Sequence, residues 1–216
     1  MKRLLVISLI TAFWGAITAQ EHSPRIQDAE LWTSLKASKK LSKKVDLALS
    51  TAYRLENNAT EYKSSFIQFD AAYNLTKKWN VSSAYRYTDR GNSNYEHIWM
   101  LKSRYKYRLK PFDLSARFRY DFRVNEDADT RQIIRQKVQA KYKRKKHFYR
   151  PFVFYEFFYT KTNVFSNYNR YRLGLGSSFK INKKMAVELS YFLQSDQNQP
   201  RPEDSYVFDL GFSYEL

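Results

Sequence analysis

From Arg117 to Arg123 every second residue is charged and every residue between is aromatic. Arg117, Arg119, Asp121 and Arg123 alternate with Phe118, Tyr120 and Phe122. A two-residue period puts the sets on opposite faces of a β-strand, whereas a helix at 100° per residue would scatter the charges round its circumference. The same period dominates the chain after residue 28. Arg104, Lys106 and Arg108 alternate with Tyr105, Tyr107 and Leu109, and Arg135, Lys137 and Lys141 with Ile134, Val138 and Tyr142. Arg170 and Arg172 alternate with Tyr171, Leu173 and Leu175. The C-terminus sets Tyr206, Phe208, Leu210, Phe212, Tyr214 and Leu216 against Asp209, Gly211, Ser213 and Glu215.

Lysine-rich turns punctuate this pattern about every 35 residues, a hairpin-length repeat of two strands long enough to span a bilayer when tilted. They lie at 39–44, 76–79, 109–111, 143–146 and 181–184. Between them fall Asn-, Asp- and Ser-rich connections at 56–62, 89–94, 125–130, 161–166 and 195–204, read as the longer loops of a barrel's outer end. Eleven candidate strands result: 29–38, 45–55, 64–75, 79–88, 95–109, 112–123, 131–142, 148–160, 167–180, 185–194 and 205–216. Single-chain bacterial barrels usually have an even number, so the expectation is 10–12 strands with 12 favoured. Pro24 weakens a twelfth strand within 20–28.

The expected organisation is a targeting segment over 1–19, an N-terminal segment over 20–28 and a barrel over 29–216. Lys2 and Arg3 precede an apolar run at 4–16, and Ala19 ends a plausible cleavage site before Gln20. Cysteine is absent, which excludes disulfides, thiol chemistry and lipid attachment through cysteine. The formal charge of +17 would ordinarily suggest nucleic acid. Export directs it instead to anionic lipids, lipopolysaccharide phosphates and small anions.

Two burial schemes satisfy the alternation: charges inside and aromatics in lipid, or the reverse in a soluble barrel. The aromatic set includes Tyr53, Tyr85, Tyr87, Tyr105, Tyr107, Phe118, Tyr120, Phe122, Tyr155, Phe157, Tyr159, Tyr171, Phe208 and Phe212. It is too bulky for a small lumen and nearly free of charge at mid-strand. An Arg or Lys on the lipid face would cost about 2–4 kcal/mol at the midplane. The sequence therefore predicts an all-β, up-and-down transmembrane barrel with a charged lumen.

Trp32, the strand ends "AYRL" (52–55) and "AYRY" (84–87), "SARFRYDFR" (115–123) and "NRYRLGLG" (169–176) carry a resemblance. The chain resembles a domain-of-unknown-function family of small bacterial outer-membrane barrels. The resemblance covers the mature chain and implies a Gram-negative outer membrane, with lipid, lipopolysaccharide and the insertion machinery as partners. It supplies no catalytic residues. The chain ends in Leu216, whereas outer-membrane strands commonly end in Phe.

The sharpest chemical feature is the inward basic set: Arg104, Lys106, Arg108, Arg117, Arg119, Arg123, Arg135, Lys137, Arg170 and Arg172. Asp121, Glu156, Glu188 and Asp209 are the expected counter-charges, with Asp46, Asp70 and Glu96 on the same face. Guanidiniums in such a lumen can bind phosphate or carboxylate bidentately, or can pair with the acids and fill a narrow interior. Gly174, Gly176 and Gly211 are placed inward, leaving space or relieving crowding beside bulky neighbours.

A lipid-modifying enzyme needs a serine and a histidine base within reach. His22, His97 and His147 offer no such pair, since the residues two after His97 and His147 are Trp99 and Tyr149. No histidine pair has metal-ligand spacing, and no glycine-rich phosphate loop occurs. The leading expectation is a structural or narrow-pore barrel with an Arg-rich, charge-filled lumen, without enzymatic activity, cofactor or nucleic-acid partner. An anion-preferring channel ranks second and a lipid-modifying enzyme third.

Overall fold

The computed structural model describes residues 25–125, 128–143, 148–162, 166–198 and 202–216. They form β1 (Ile26–Lys40), β2 (Val45–Glu56), β3 (Glu61–Asn74), β4 (Trp79–Asp89), β5 (Tyr95–Leu109) and β6 (Phe112–Asn125). The second half contributes β7 (Ala128–Tyr142), β8 (Tyr149–Lys161), β9 (Ser166–Lys180), β10 (Met185–Asp196) and β11 (Glu203–Glu215). Each strand pairs with the next and β1 closes on β11. The proposed targeting segment, Pro24, His22 and His147 lie outside the described residues.

The barrel has eleven strands, not the favoured twelve. All eleven candidates are full members, and β1 begins at Ile26, three residues before the expected start. Direction alternates along an up-and-down chain, so an odd count makes the first and last strands run the same way. The closing ladder is accordingly parallel, from Ile26↔Glu203 to Ser38↔Glu215, while the other pairs are antiparallel. β1 therefore starts at the end opposite to that where β11 finishes.

The expected contrast between short turns and long loops is also corrected. Pairing continues to Glu56↔Glu61, Asn125↔Ala128 and Lys161↔Ser166, zipping up stretches whose polar composition suggested loops. Two to six residues separate the strands at either end. What distinguishes the ends is chemistry. Three lysine turns share one device, a side-chain oxygen that accepts backbone N–H bonds two and three residues on. Ser42 Oγ takes Lys44 and Val45, Thr76 Oγ1 takes Lys78 and Trp79, and Asn182 Oδ1 takes Lys184 and Met185, at 2.8–3.2 Å. At the opposite rim Asn57, Asn58 and Ala59 are left-handed. Asp28 pins that turn by accepting the Asn57 and Asn58 amides at 3.1 and 2.9 Å.

The outward face is predominantly apolar and carries no charge at mid-strand among the described residues. Leu101 is 61% exposed and Leu175 60%, with Ile67, Trp99, Phe118, Val138, Val153, Leu173 and Phe208 in the same condition. Exposed apolar surface so extensive is stable against hydrocarbon, not water. Leu101→Arg, near the middle of β5, should lower stability by about 2–4 kcal/mol in lipid bilayers. Urea titration of the folded barrel in vesicles measures this, and an unchanged midpoint would place Leu101 away from lipid.

Candidate functional site

The inward side chains enclose a cavity of about 700 Å³, lined by twelve Arg and Lys residues against four Asp and Glu. The strand period builds it directly: residues at even numbers on β1, β2, β4, β5, β8 and β10, and at odd numbers on β6, β7 and β11, point inward.

The charges form two tiers. Near the rim, Glu96 is fully buried and faces Arg90, Arg123 and Arg131 at 2.8, 3.5 and 3.4 Å. Beside it, Lys63 meets Glu30 at 2.8 Å and Arg170 Nη2 meets Asp196 at 2.7 Å. At mid-height Asp121 is fully buried and accepts Arg119 Nη2 at 2.8 Å and Arg123 at 3.2 Å. Glu156, also buried, gathers Arg117 at 2.8 Å, Arg135 at 3.0 Å and Arg172 at 3.7 Å.

Seven of the ten predicted basic residues line the cavity: Arg117, Arg119, Arg123, Arg135, Lys137, Arg170 and Arg172. Glu156, Glu188 and Asp209 line it too, while Asp121 sits behind the surface. Arg104, Lys106 and Arg108 share the inward parity but lie exposed towards the lysine turns, outside the cavity. There Arg108 pairs with Asp113 at 3.0 Å.

Sequence reasoning missed Arg54, Arg86, Arg90 and Arg131, which line the same cavity. It also sent aromatics mainly to lipid, whereas Trp32, Phe152, Phe154 and Phe192 form a buried cluster with Val207 inside. Parity held the signal. Phe152, Phe154 and Phe158 share the face of Glu156, and Phe192 that of Glu188. Gly174 and Gly176 make room for these rings: a Cβ on Gly174 would stand 2.3 Å from Phe192 Cβ, and one on Gly176 2.6 Å from Phe152. The glycines thus relieve crowding.

The rings carry cations. Arg54 Cζ lies 4.0 Å from the Trp32 ring centre, Arg86 Cζ 3.6 Å from Phe66, Lys137 Nζ 3.7 Å from Phe154 and Arg135 Cζ 4.4 Å from Phe158. Among the described residues the Arg54 side chain has no hydrogen bond and no ion pair, and its Nε is sealed from solvent. A desolvated cation–π contact contributes about 2 kcal/mol. Removing an ion from water costs several kcal/mol even after relaxation. The rings therefore position Arg54 without balancing its charge, which the more distant Asp209 and Glu30 offset only in part.

Two other clusters fall outside this site. Asp28, Glu30 and Glu203 bring carboxylate oxygens within 4.8 Å of one another at the rim. Glu30 is engaged by Lys63 and Trp32 Nε1, and Asp28 by two backbone amides, which suits a balanced rim better than a cation site. His97 is outward, 2.7 Å from the Tyr85 hydroxyl and stacked near Trp99.

A closed barrel with an apolar exterior and a cation-rich interior is a transmembrane β-barrel. The chain belongs to the family described as a protein of unknown function, DUF2490, whose model matches residues 29–205. It is similar to a bacterial polysaccharide outer membrane secretin, with 10% identity and a TM-score of 0.54 over 76% of this chain and 73% of that one. It is also similar to the beta domain of the Bordetella autotransporter BrkA, with 14% identity and a TM-score of 0.54 over 81% and 85% of the two chains. At these identities the likeness is one of fold. No curated protein matches the chain.

Proposed function

We propose that the protein is a bacterial outer-membrane barrel whose narrow lumen prefers small anions to cations. The observation that carries this reading is the surplus of lining cations, twelve against four acids, with Arg54 and Arg86 in no ion pair among the described residues. Clefts lined by one sign of charge and walled by low-dielectric surface concentrate counter-ions. The ion pairs around Asp121 and Glu156 narrow the lumen, and the unpaired guanidiniums set its sign. In this reading lipid and lipopolysaccharide surround the aromatic face. The lysine turns face the periplasm, where the insertion machinery meets β11.

Zero-current potentials in planar bilayers under a KCl gradient test the proposal. The expected result is chloride preference, weakened towards cations in Arg54→Gln and Arg86→Gln. A second reading, a structural barrel filled by its own charges, is favoured by the buried Glu156 and Asp121 networks. It predicts silence in the same bilayers, and cation preference would contradict both readings.

A further inference from the structure

We propose that Arg86, Arg54 and Arg172 form one binding site for a multivalent oxyanion, a small molecule bearing at least two phosphate- or carboxylate-type groups. The site deepens the anion-preferring lumen and rests on anions reaching it.

The three guanidiniums are strung on two rings. Arg86 Cζ and Arg54 Cζ lie 3.6 and 5.3 Å from the centre of Phe66. Arg54 Cζ and Arg172 Cζ lie 4.0 and 4.9 Å from that of Trp32. Two groups that share a ring at these distances are no more than about 9 Å apart. The row runs along the wall from β4 through β3, β2 and β1, and crosses the parallel seam to β9.

Their hydrogen-bond partners are neutral. Arg86 Nε donates to Gln68 Oε1 at 2.8 Å, and Gln68 turns its own amide N–H to Asp70, which fixes the direction of its oxygen. Arg172 Nε and Nη2 both donate to Gln194 Oε1, at 2.9 and 2.6 Å. Gln68 and Gln194 are buried. A glutamate at 194 would hold the same fork but neutralise it, and one at 68 would do so while also setting a second carboxylate against Asp70. A glutamine aims the guanidinium and leaves its charge available. Arg54, between the two, has the rings and no ion pair, with the charges of Asp209 and Glu30 acting on it from further off. Arg172 has Glu156 at 3.7 Å, an acid shared with Arg117 and Arg135.

A chloride satisfies one guanidinium at a time. An oxyanion with two charged groups engages neighbouring forks, each through charge-assisted bonds, and the second contact forms within an already bound molecule. A row of partly vacant forks on one wall therefore discriminates by valence.

The test uses the mature protein folded in detergent micelles, with inorganic pyrophosphate as probe and potassium chloride at matched ionic strength as reference. The readout is the temperature at which the heat-modifiable folded band is lost. Pyrophosphate should raise that temperature saturably and chloride should not. Gln68→Glu and Gln194→Glu, each close in shape to the original, should weaken the apparent affinity at least tenfold while still giving the folded band. Equal shifts from both salts would mean screening alone and overturn the site, as would variants that bind like wild type. Saturable binding in a barrel silent in bilayers would keep the site and discard the pore. Anion-selective currents without saturable binding would do the reverse.

Discussion

Glu156→Gln should destabilise the folded barrel by about 3–5 kcal/mol, the usual cost of removing one partner from a buried ionic network. The side chain is nearly inaccessible and holds Arg117, Arg135 and Arg172 round one carboxylate. Glutamine has the same shape, so no cavity is made and the loss is electrostatic. One of the three guanidiniums can still use the amide oxygen, and the charge of all three stands uncompensated. Glu188→Gln is the control. Its side chain is 52% exposed and meets Lys141 at 3.4 Å, so solvent screening limits the change to about 1 kcal/mol or less. Urea midpoints for the two variants in the same micelles should differ clearly. Equal midpoints would show that the Glu156 network stabilises nothing.

Gly174→Ala should cost about 3 kcal/mol or more, a large effect for one methyl group. Gly174 is the register partner of Phe192 on one side and Phe154 on the other, and those two rings meet edge to face over it with centres 5.8 Å apart. The added Cβ would lie 2.3 Å from Phe192 Cβ. That atom is fixed to the backbone of β10 and cannot rotate away, so relief requires strand displacement. Gly211→Ala offers the contrast. Its nearest neighbour would be Ser34 Oγ at 3.3 Å, the movable end of a short side chain. Thermal denaturation should therefore separate the two alanines widely, and a Gly174→Ala barrel as stable as wild type would contradict the packing described.

Much of the architecture was legible because the two-residue period holds along the strands except at three register shifts, near Arg54, Arg123 and Phe158. Once Arg117 and Phe118 are assigned to opposite faces, every residue of β6 follows, and cross-strand pairing extends the assignment to β5 and β7. Strand limits fell within three residues of those observed. Two features depended on information that a single strand does not carry. Closure by a parallel β1–β11 ladder is a property of the strand count. Zipping of Glu56↔Glu61 depends on cross-strand hydrogen bonds that polar composition does not reveal.

The lumen was legible in sign and less so in content. Equating aromatic with lipid-facing holds for Tyr105, Phe118 and Phe208, but fails for Trp32, Phe66, Phe154 and Phe192. A barrel of this girth needs bulky residues on one inner wall as well as outside. Arg54 and Arg86 stood inside the "AYRL" and "AYRY" strand ends, and their inward parity was readable. Their lack of an acid partner was not, since partners in a barrel come from strands distant in sequence.

Site-directed spin labelling distinguishes an arginine-filled interior behind a face that meets hydrocarbon from the reverse arrangement. The chain contains no cysteine, so single substitutions carry the label without background. Labels at Leu101→Cys, Leu173→Cys and Phe208→Cys in reconstituted vesicles should be relaxed strongly by oxygen, which concentrates in lipid, and weakly by a water-soluble nickel chelate. A label at the inward Ser190→Cys should not share that oxygen-dominated response. Relaxation of the three outward labels by the nickel chelate instead would mean that the aromatic face meets water, and the transmembrane account would fall with it.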